Sequence, residues 1–288
     1  MSTVSTAQQA GMGMGAAAQA VPPEGTRVFR DIAYVDGGHE NQILDLYLPA
    51  AGDNLPLIVY IHGGAWRAGS KNSVPALGYV ENGYAVASIE YRLSQHAIFP
   101  AQIEDAKAAV RWLRANADEY GIDADRFAAW GQSAGAHLSI LLGVTDGVSK
   151  FEVGNNLDVS SAVQVVIDNY GPTDFALMDA HRLPDGQVHN PADSPESLLV
   201  GGALQENLAA VAQASPMTYV SEADAPMLVV HGDADPLVPR HQSQILVAAL
   251  EEVNVPVEFY TVSGGGHGRF TDPKVPELIE MTLEKYLK

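Results

Sequence analysis

The sequence contains no cysteine. Disulfides, thiolate catalysis and cysteine-ligated metals are thereby excluded, while the compartment stays open, because a chain without disulfides occurs on either side of a membrane. Basic residues are scarce: 16 Lys and Arg stand against 35 Asp and Glu, a formal net charge of -19. Nucleic acid and anionic membrane surfaces are not expected partners, since the phosphate contacts that dominate such binding need clustered positive charge. Long apolar runs are missing as well, none approaching the ~18–20 residues of a membrane-spanning helix. Residues 1–20, rich in Ala, Gly, Gln and Met, have neither a basic start nor a continuous apolar stretch. No signal peptide is expected there, so the location expected is cytoplasmic, with secretion left open. We read residues 1–25 as a flexible tail closed off by Pro22 and Pro23.

What is present is globular. With 47% hydrophobic and 18% charged residues, the 288-residue chain suits one large α/β domain over residues 26–288. Alternating patterns over Thr26–Val35 and Ile43–Leu48, separated by Asp36-Gly37-Gly38, predict an antiparallel hairpin at a sheet edge. Leu57–Ile61, Arg126–Trp130, Ala162–Ile167 and Met227–Val230 are short apolar runs, as expected of buried strands, and Tyr84–Ile89 and Val257–Val262 read as strands beside them. Helices are predicted between them at Ser73–Asn82, Pro100–Tyr120, from Ala136, at His241–Val253 and at Val275–Leu287. Strand–helix alternation argues for a mostly parallel sheet flanked by helices. Between about 175 and 215 Pro, Asp, Gly and His interrupt the pattern, which reads as a small cap-like insertion after the sixth strand.

The chemistry gathers at strand ends. Gly131-Gln132-Ser133-Ala134-Gly135 lies between a buried strand and a helix, the context a nucleophile elbow needs. The turn exposes the Ser133 hydroxyl, and the small residues at 131 and 135 let strand and helix approach closely. His62-Gly63-Gly64-Ala65-Trp66 follows another buried strand. Backbone N–H groups of Gly63, Gly64 and Ala134 are the candidate oxyanion donors, each worth about 3 kcal/mol in a transition state when preset. His231-Gly232-Asp233-Ala234-Asp235 offers two carboxylates: Asp235 to orient an imidazole, Asp233 to hold loop N–H groups. His267, between glycines after the last strand, completes the order nucleophile, acid, base.

Other residues read as structural. His62 holds its loop, and Tyr91-Arg92 supports the sheet end. Glu104 and Asp105, with Arg111 nearby, read as an ion pair on the long helix. His96, His137, His181, His189, His231 and His241 fail on position or periodicity, and His181, His189 and Asp185 follow no metal-ligand spacing, so no metal is assigned. Ala65, Trp66, Phe99 and Leu199 line a substrate pocket or form plain core; the sequence leaves both readings open.

Together the elbow, the His-Gly-Gly-Ala-Trp loop, Tyr91-Arg92-Leu93 with Phe99-Pro100, and the downstream Asp235 and His267 resemble the α/β-hydrolase fold. More narrowly they resemble the hormone-sensitive-lipase-like and carbohydrate-esterase-like carboxylesterases. Gln132 before the nucleophile, where many of the former carry an acid, favours the carbohydrate-esterase-like branch. The resemblance implies ester hydrolysis without cofactor through a Ser133–His267–Asp235 triad, on short acyl chains and in some members on acetyl or feruloyl groups of polysaccharide. The partner implied is a small-molecule ester, with monomer and homodimer both open. Two alternatives stand beside this reading. His-Gly-Gly-x-Trp also resembles the kynurenine formamidases, which hydrolyse an aryl formamide with the same triad, and the fold is also compatible with a catalytically silent binding protein.

Overall fold

Strands form where the apolar runs fall, and the turns between them carry the polar chemistry. The computed structural model describes residues 19–288, so the portion of the expected tail at 1–18 lies outside the described residues. Within the remainder, Ala20 donates its N–H to the Asn72 carbonyl at 2.9 Å. Strands β1 (Arg27–Ala33) and β2 (Ile43–Leu48) form the expected antiparallel edge hairpin. There follow β3 (Leu55–Ile61), β4 (Ala85–Ile89), helices α1 (Ala101–Ala115) and α2 (Ala117–Tyr120), β5 (Ile122–Gln132) and α3 (Ala134–Val144). Next come β6 (Val165–Asn169), α4 (Pro195–Val200), α5 (Leu208–Ala214), β7 (Met227–Gly232), α6 (His241–Glu252), β8 (Val257–Val262) and α7 (Lys274–Leu287). The sheet has eight strands in the order β1-β2-β4-β3-β5-β6-β7-β8. From β4 onward in that order every pairing is parallel.

Side chains alternate between the two faces with the strand period of two. Val59 and Ala129 join the layer packed by α1, α3 and α6, whereas Ile58, Tyr60 and Trp130 face α7. Burial on both faces explains why these strands are continuously apolar. No helix among the described residues is long and apolar enough to cross a membrane.

Several boundaries differ from the sequence reading, and the four largest differences are these. The helix expected over Ser73–Asn82 is a shorter 3-10 segment, Pro75–Val80, in keeping with a proline at its start and Gly78 inside it. The long helix breaks at Asn116, whose backbone leaves helical geometry, and ends as expected at Gly121 with φ 71°. Strand β5 begins at Ile122 rather than Arg126, extended by a polar segment that pattern alone does not reveal. Strand β6 begins at Val165 rather than Ala162, because the Arg114 guanidinium takes the Ala162 carbonyl at 2.8 Å.

Candidate active site

Ser133 sits at the sharp turn between β5 and α3 with φ 54° and ψ -122°, a left-handed conformation that costs a non-glycine residue about 1–3 kcal/mol. The surroundings hold it there. Its N–H donates to the Asn169 carbonyl at 3.0 Å, and its carbonyl accepts from the His137 N–H at 3.0 Å. A Cβ on Gly131 would strike the Gly135 carbonyl, and one on Gly135 would strike the Ile61 carbonyl. The small residues at these two positions therefore let α3 lie directly on the sheet.

The Ser133 hydroxyl donates to His267 Nε2 at 2.9 Å, and His267 Nδ1–H donates to Asp235 Oδ2 at 2.8 Å. The carboxylate fixes the proton on Nδ1 and leaves Nε2 bare to accept. The other oxygen of Asp235 accepts from the N–H groups of Leu237 and Val238 at 2.8 and 2.9 Å. Burial by itself would raise the Asp235 carboxyl. Hydrogen bonds from His231, His267 and the Val238 N–H outweigh that and hold it below the usual carboxylate range. Asp233 instead accepts the Gly264 N–H at 2.6 Å, tying down the loop that carries His267. The edge of the Tyr170 ring meets the His267 imidazole at 4.7 Å between centroids.

His231 is a contributor the sequence reading passed over. Fully buried at the end of β7, it places Nε2 3.3 Å from Asp235 Oδ2 while donating to the Val238 carbonyl at 2.9 Å. The signal available was its place two residues before Asp233 at the same strand end.

The loop after β3 approaches Ser133 from the other side: a Cβ built on Gly63 would lie 3.4 Å from that of Ser133. No hydrogen bond among the described residues uses the N–H of Gly63, Gly64 or Ala134. His62 braces the loop. Its Nδ1 meets the Gly63 carbonyl at 2.8 Å, its Nε2 meets Glu90 at 3.0 Å, and its ring stacks on Tyr91 at 4.5 Å. The Tyr91 hydroxyl donates to the His62 carbonyl at 3.0 Å. Burial would raise the Glu90 carboxyl, but hydrogen bonds from His62, the Lys71 N–H and Ser70 bring it below its ordinary value.

His137, set aside in the sequence, proves to be a strut. Its Nδ1 accepts from Trp66 Nε1 at 3.2 Å and its Nε2–H donates to the Ala214 carbonyl at 2.7 Å. It thereby joins the loop after β3, helix α3 and the segment after β6. Complete burial pushes its pKa down to about 4, so the imidazole is neutral, as this pattern of one donor and one acceptor requires.

A cavity of about 60 Å³ opens over Ser133, walled by Ala65, Trp66, Pro172, Leu237, His189 and Glu196 among others. Of the four candidate pocket residues, Ala65 and Trp66 line it. Leu199 does not: it is fully buried in the core with Phe99, and its carbonyl accepts the Phe99 N–H at 2.8 Å. The ion pair expected on the long helix also changes partner. Asp105 receives a two-pronged contact from Arg92 at 2.7–3.0 Å, and Arg111 pairs with Glu152, because residues six apart on a helix do not share a face. His181 stacks on His241 while His189 lies beside Glu196. Among the described residues no group of three His, Asp or Glu is placed to hold a metal.

With this geometry in hand, four similarities bear on it. The BD-FAE family matches residues 44–250. A solved carbohydrate esterase from gut microbiota, in truncated form, is 33% identical with a TM-score of 0.84, covering 93% of this chain and 99% of that one. The bifunctional GH43-CE protein of Bacteroides eggerthii is 35% identical with a TM-score of 0.83, over 91% of this chain and 38% of that one. Esterase LipQ of Mycobacterium tuberculosis is 32% identical over 83% of this chain and 56% of its own length. The chain spans a little over half the length of the mycobacterial esterases it matches, 56%, 57% and 53% for three of them.

Proposed function

The chain belongs to the BD-FAE family of α/β-hydrolase esterases, and from that premise we propose that it is a serine carboxylic ester hydrolase of short-chain acyl esters, acetyl esters of carbohydrate foremost. One observation carries the reading: the unbroken chain from Ser133 Oγ through His267 to Asp235, at 2.9 and 2.8 Å, with the serine on a strained elbow. The likeness to the gut-microbiota carbohydrate esterase supports the sugar, and the small cavity over Ser133 supports the short acyl group.

In the mechanism, His267 Nε2 takes the Ser133 proton as Oγ attacks the ester carbonyl. Asp235 keeps the imidazole in the required tautomer and stabilises the imidazolium that forms. The N–H groups of Gly63, Gly64 and Ala134, none of them otherwise engaged among the described residues, receive the oxyanion. Collapse expels the alcohol, which leaves with the proton from His267. Water then repeats the cycle on the acyl-enzyme, returning the proton to Ser133 and releasing the acid. His62 takes no proton in this scheme; it holds the donor loop from behind.

The substrate class is tested by initial rates on p-nitrophenyl acetate, butyrate and decanoate, with methyl ferulate and N-formylkynurenine alongside. Rates that fall steeply beyond a few acyl carbons support the reading. Equal rates on decanoate refute the short-chain assignment, and turnover confined to the formamide assigns the protein to aryl formamide hydrolysis instead.

A further inference from the structure

We propose that His189 and Glu196, in the segment between β6 and β7, form a hydroxyl-recognition site for the alcohol portion of the substrate. The site selects esters that carry a free hydroxyl beside the ester carbon, as a partly acetylated sugar does. This rests on the esterase reading above and specifies its substrate.

Both residues line the cavity that contains Ser133 and His267, yet both are almost fully buried, 1% and 4% exposed. His189 Nδ1 lies 3.1 Å from Glu196 Oε1, within ion-pair distance but off the hydrogen-bonding direction. His189 Nε2 and Glu196 Oε2 have no hydrogen-bond partner among the described residues. Buried polar atoms are nearly always paired, and an unpaired carboxylate oxygen is among the costlier exceptions. Both side chains line the reaction cavity, so a ligand that enters it is the partner that would complete them.

The pair is held in place and does not drift on a loose loop. Asp179 accepts the N–H groups of His189 and Asn190 at 2.7 and 2.9 Å. Gln187 donates its N–H to the Pro236 carbonyl at 2.7 Å, which anchors the same segment beside Asp235. Glu196 lies in the first turn of α4, where the Ser194 hydroxyl accepts the Ser197 N–H at 3.1 Å.

The chemistry of the two atoms selects the ligand. Nδ1 faces a carboxylate oxygen, which favours the ring proton on that side and leaves Nε2 as an acceptor. Glu196 Oε2 is also an acceptor, so the missing groups are donors. Apart from Gln187, the rest of the wall (Ala65, Trp66, Pro172, Pro195, Leu237 and Val238) is apolar and suits the carbon face of a ring. A neutral hydroxylated ring supplies both requirements. An acyl-borne hydroxyl, as on a phenolic acid, stands a full aromatic ring away from the ester, and the ferulate pair in the test separates that case.

The test compares trans-1,2-cyclohexanediol monoacetate with cyclohexyl acetate, which differ by one hydroxyl. Methyl ferulate against methyl cinnamate probes an acyl hydroxyl, and protonated 2-(dimethylamino)ethyl acetate probes a cation. Wild type is expected to favour the diol ester in kcat/KM by about 10- to 100-fold, the range for hydrogen bonds to charged groups. Glu196→Gln and His189→Ala should bring that ratio close to one, with thermal melts reporting that each variant is folded. A merely structural role would lower both rates and leave the ratio standing, which overturns the inference. So does a preference that appears only in the ferulate pair or only for the cation. Absence of Ser133-dependent turnover of cyclohexyl acetate in wild type overturns the esterase reading itself. Normal turnover with no preference overturns only the hydroxyl site.

Discussion

Trp66 Nε1 donates a hydrogen bond to His137 Nδ1 at 3.2 Å, joining the glycine loop after β3 to the helix that starts at Ser133. The bond matters because the two elements supply different parts of the proposed reaction: the Gly63 and Gly64 donors from one, Ser133 and the Ala134 donor from the other. His137 is neutral and its other nitrogen is engaged by Ala214, so the only atom free to accept from Trp66 is Nδ1.

Trp66→Phe keeps the aromatic body and deletes this donor. A buried acceptor is left unpaired, so stability should fall by about 1–3 kcal/mol. Relaxation of the donor loop should also lower kcat, by up to about 100-fold, since small misplacements of catalytic groups are costly. Denaturant titration and steady-state kinetics on p-nitrophenyl acetate check both. A destabilised variant with wild-type kcat would show that the loop holds its position without the strut.

A second prediction concerns Asp168, in β6 behind the elbow. Its Oδ1 accepts the Gly171 N–H at 2.7 Å, but Oδ2 is buried with no partner among the described residues. Burial pushes its pKa up to about 7, against the partial relief of the Gly171 bond. A raised folded pKa means that the folded state holds this proton longer than the unfolded chain does. Its contribution to stability is therefore complete below the unfolded carboxylate value near 3.8 and is lost as pH rises through about 7. Asp168→Asn removes the ionisation. Relative to wild type it should gain little at pH 4 and about 1–4 kcal/mol at pH 8. Urea midpoints across that range decide it, and a gain that does not change with pH contradicts the assignment. His137 acts in the opposite sense. Its lowered pKa gives stability that is complete above about 6.5 and lost as pH falls through about 4. Wild type should accordingly show a flatter profile than Asp168→Asn.

Asp235→Asn tests the orienting role. Asp235 is held below the ordinary carboxylate range, so it stays ionised throughout neutral and mildly acidic pH. An amide there no longer fixes the proton on Nδ1, and kcat should fall by about 10⁴-fold without loss of the fold. Asp233→Asn, which affects only the Gly264 contact, should cost far less. Comparable losses in the two variants would mean that the carboxylates are not distinguished as the geometry distinguishes them.

Much of this was legible in the sequence, for a physical reason. Strands buried on both faces must be apolar throughout, so β3, β5 and β7 announced themselves, and the polar residues just beyond them had to lie at one edge of the sheet. Ser133 and Asp235 are such residues, His267 follows the last strand at the same edge, and the structure places the three within hydrogen-bonding reach. The parts that were not legible depend on contacts far apart in the chain. Nothing local indicates that His189 meets Glu196, or that His137 bridges Trp66 and Ala214. The Arg92 partner of Asp105 comes from a preceding loop, and no helical spacing could have indicated it. Leu199 misled because an apolar residue in a short irregular stretch serves core or pocket equally well until the fold is known.

The most direct test of the central claim is kcat/KM for p-nitrophenyl acetate in wild type and in Ser133→Ala, with folding of the variant verified by its melt. Removing the nucleophile should reduce turnover by at least about 10³-fold. Near wild-type turnover in Ser133→Ala would contradict the account, because Ser133 would then not be the group that attacks the ester.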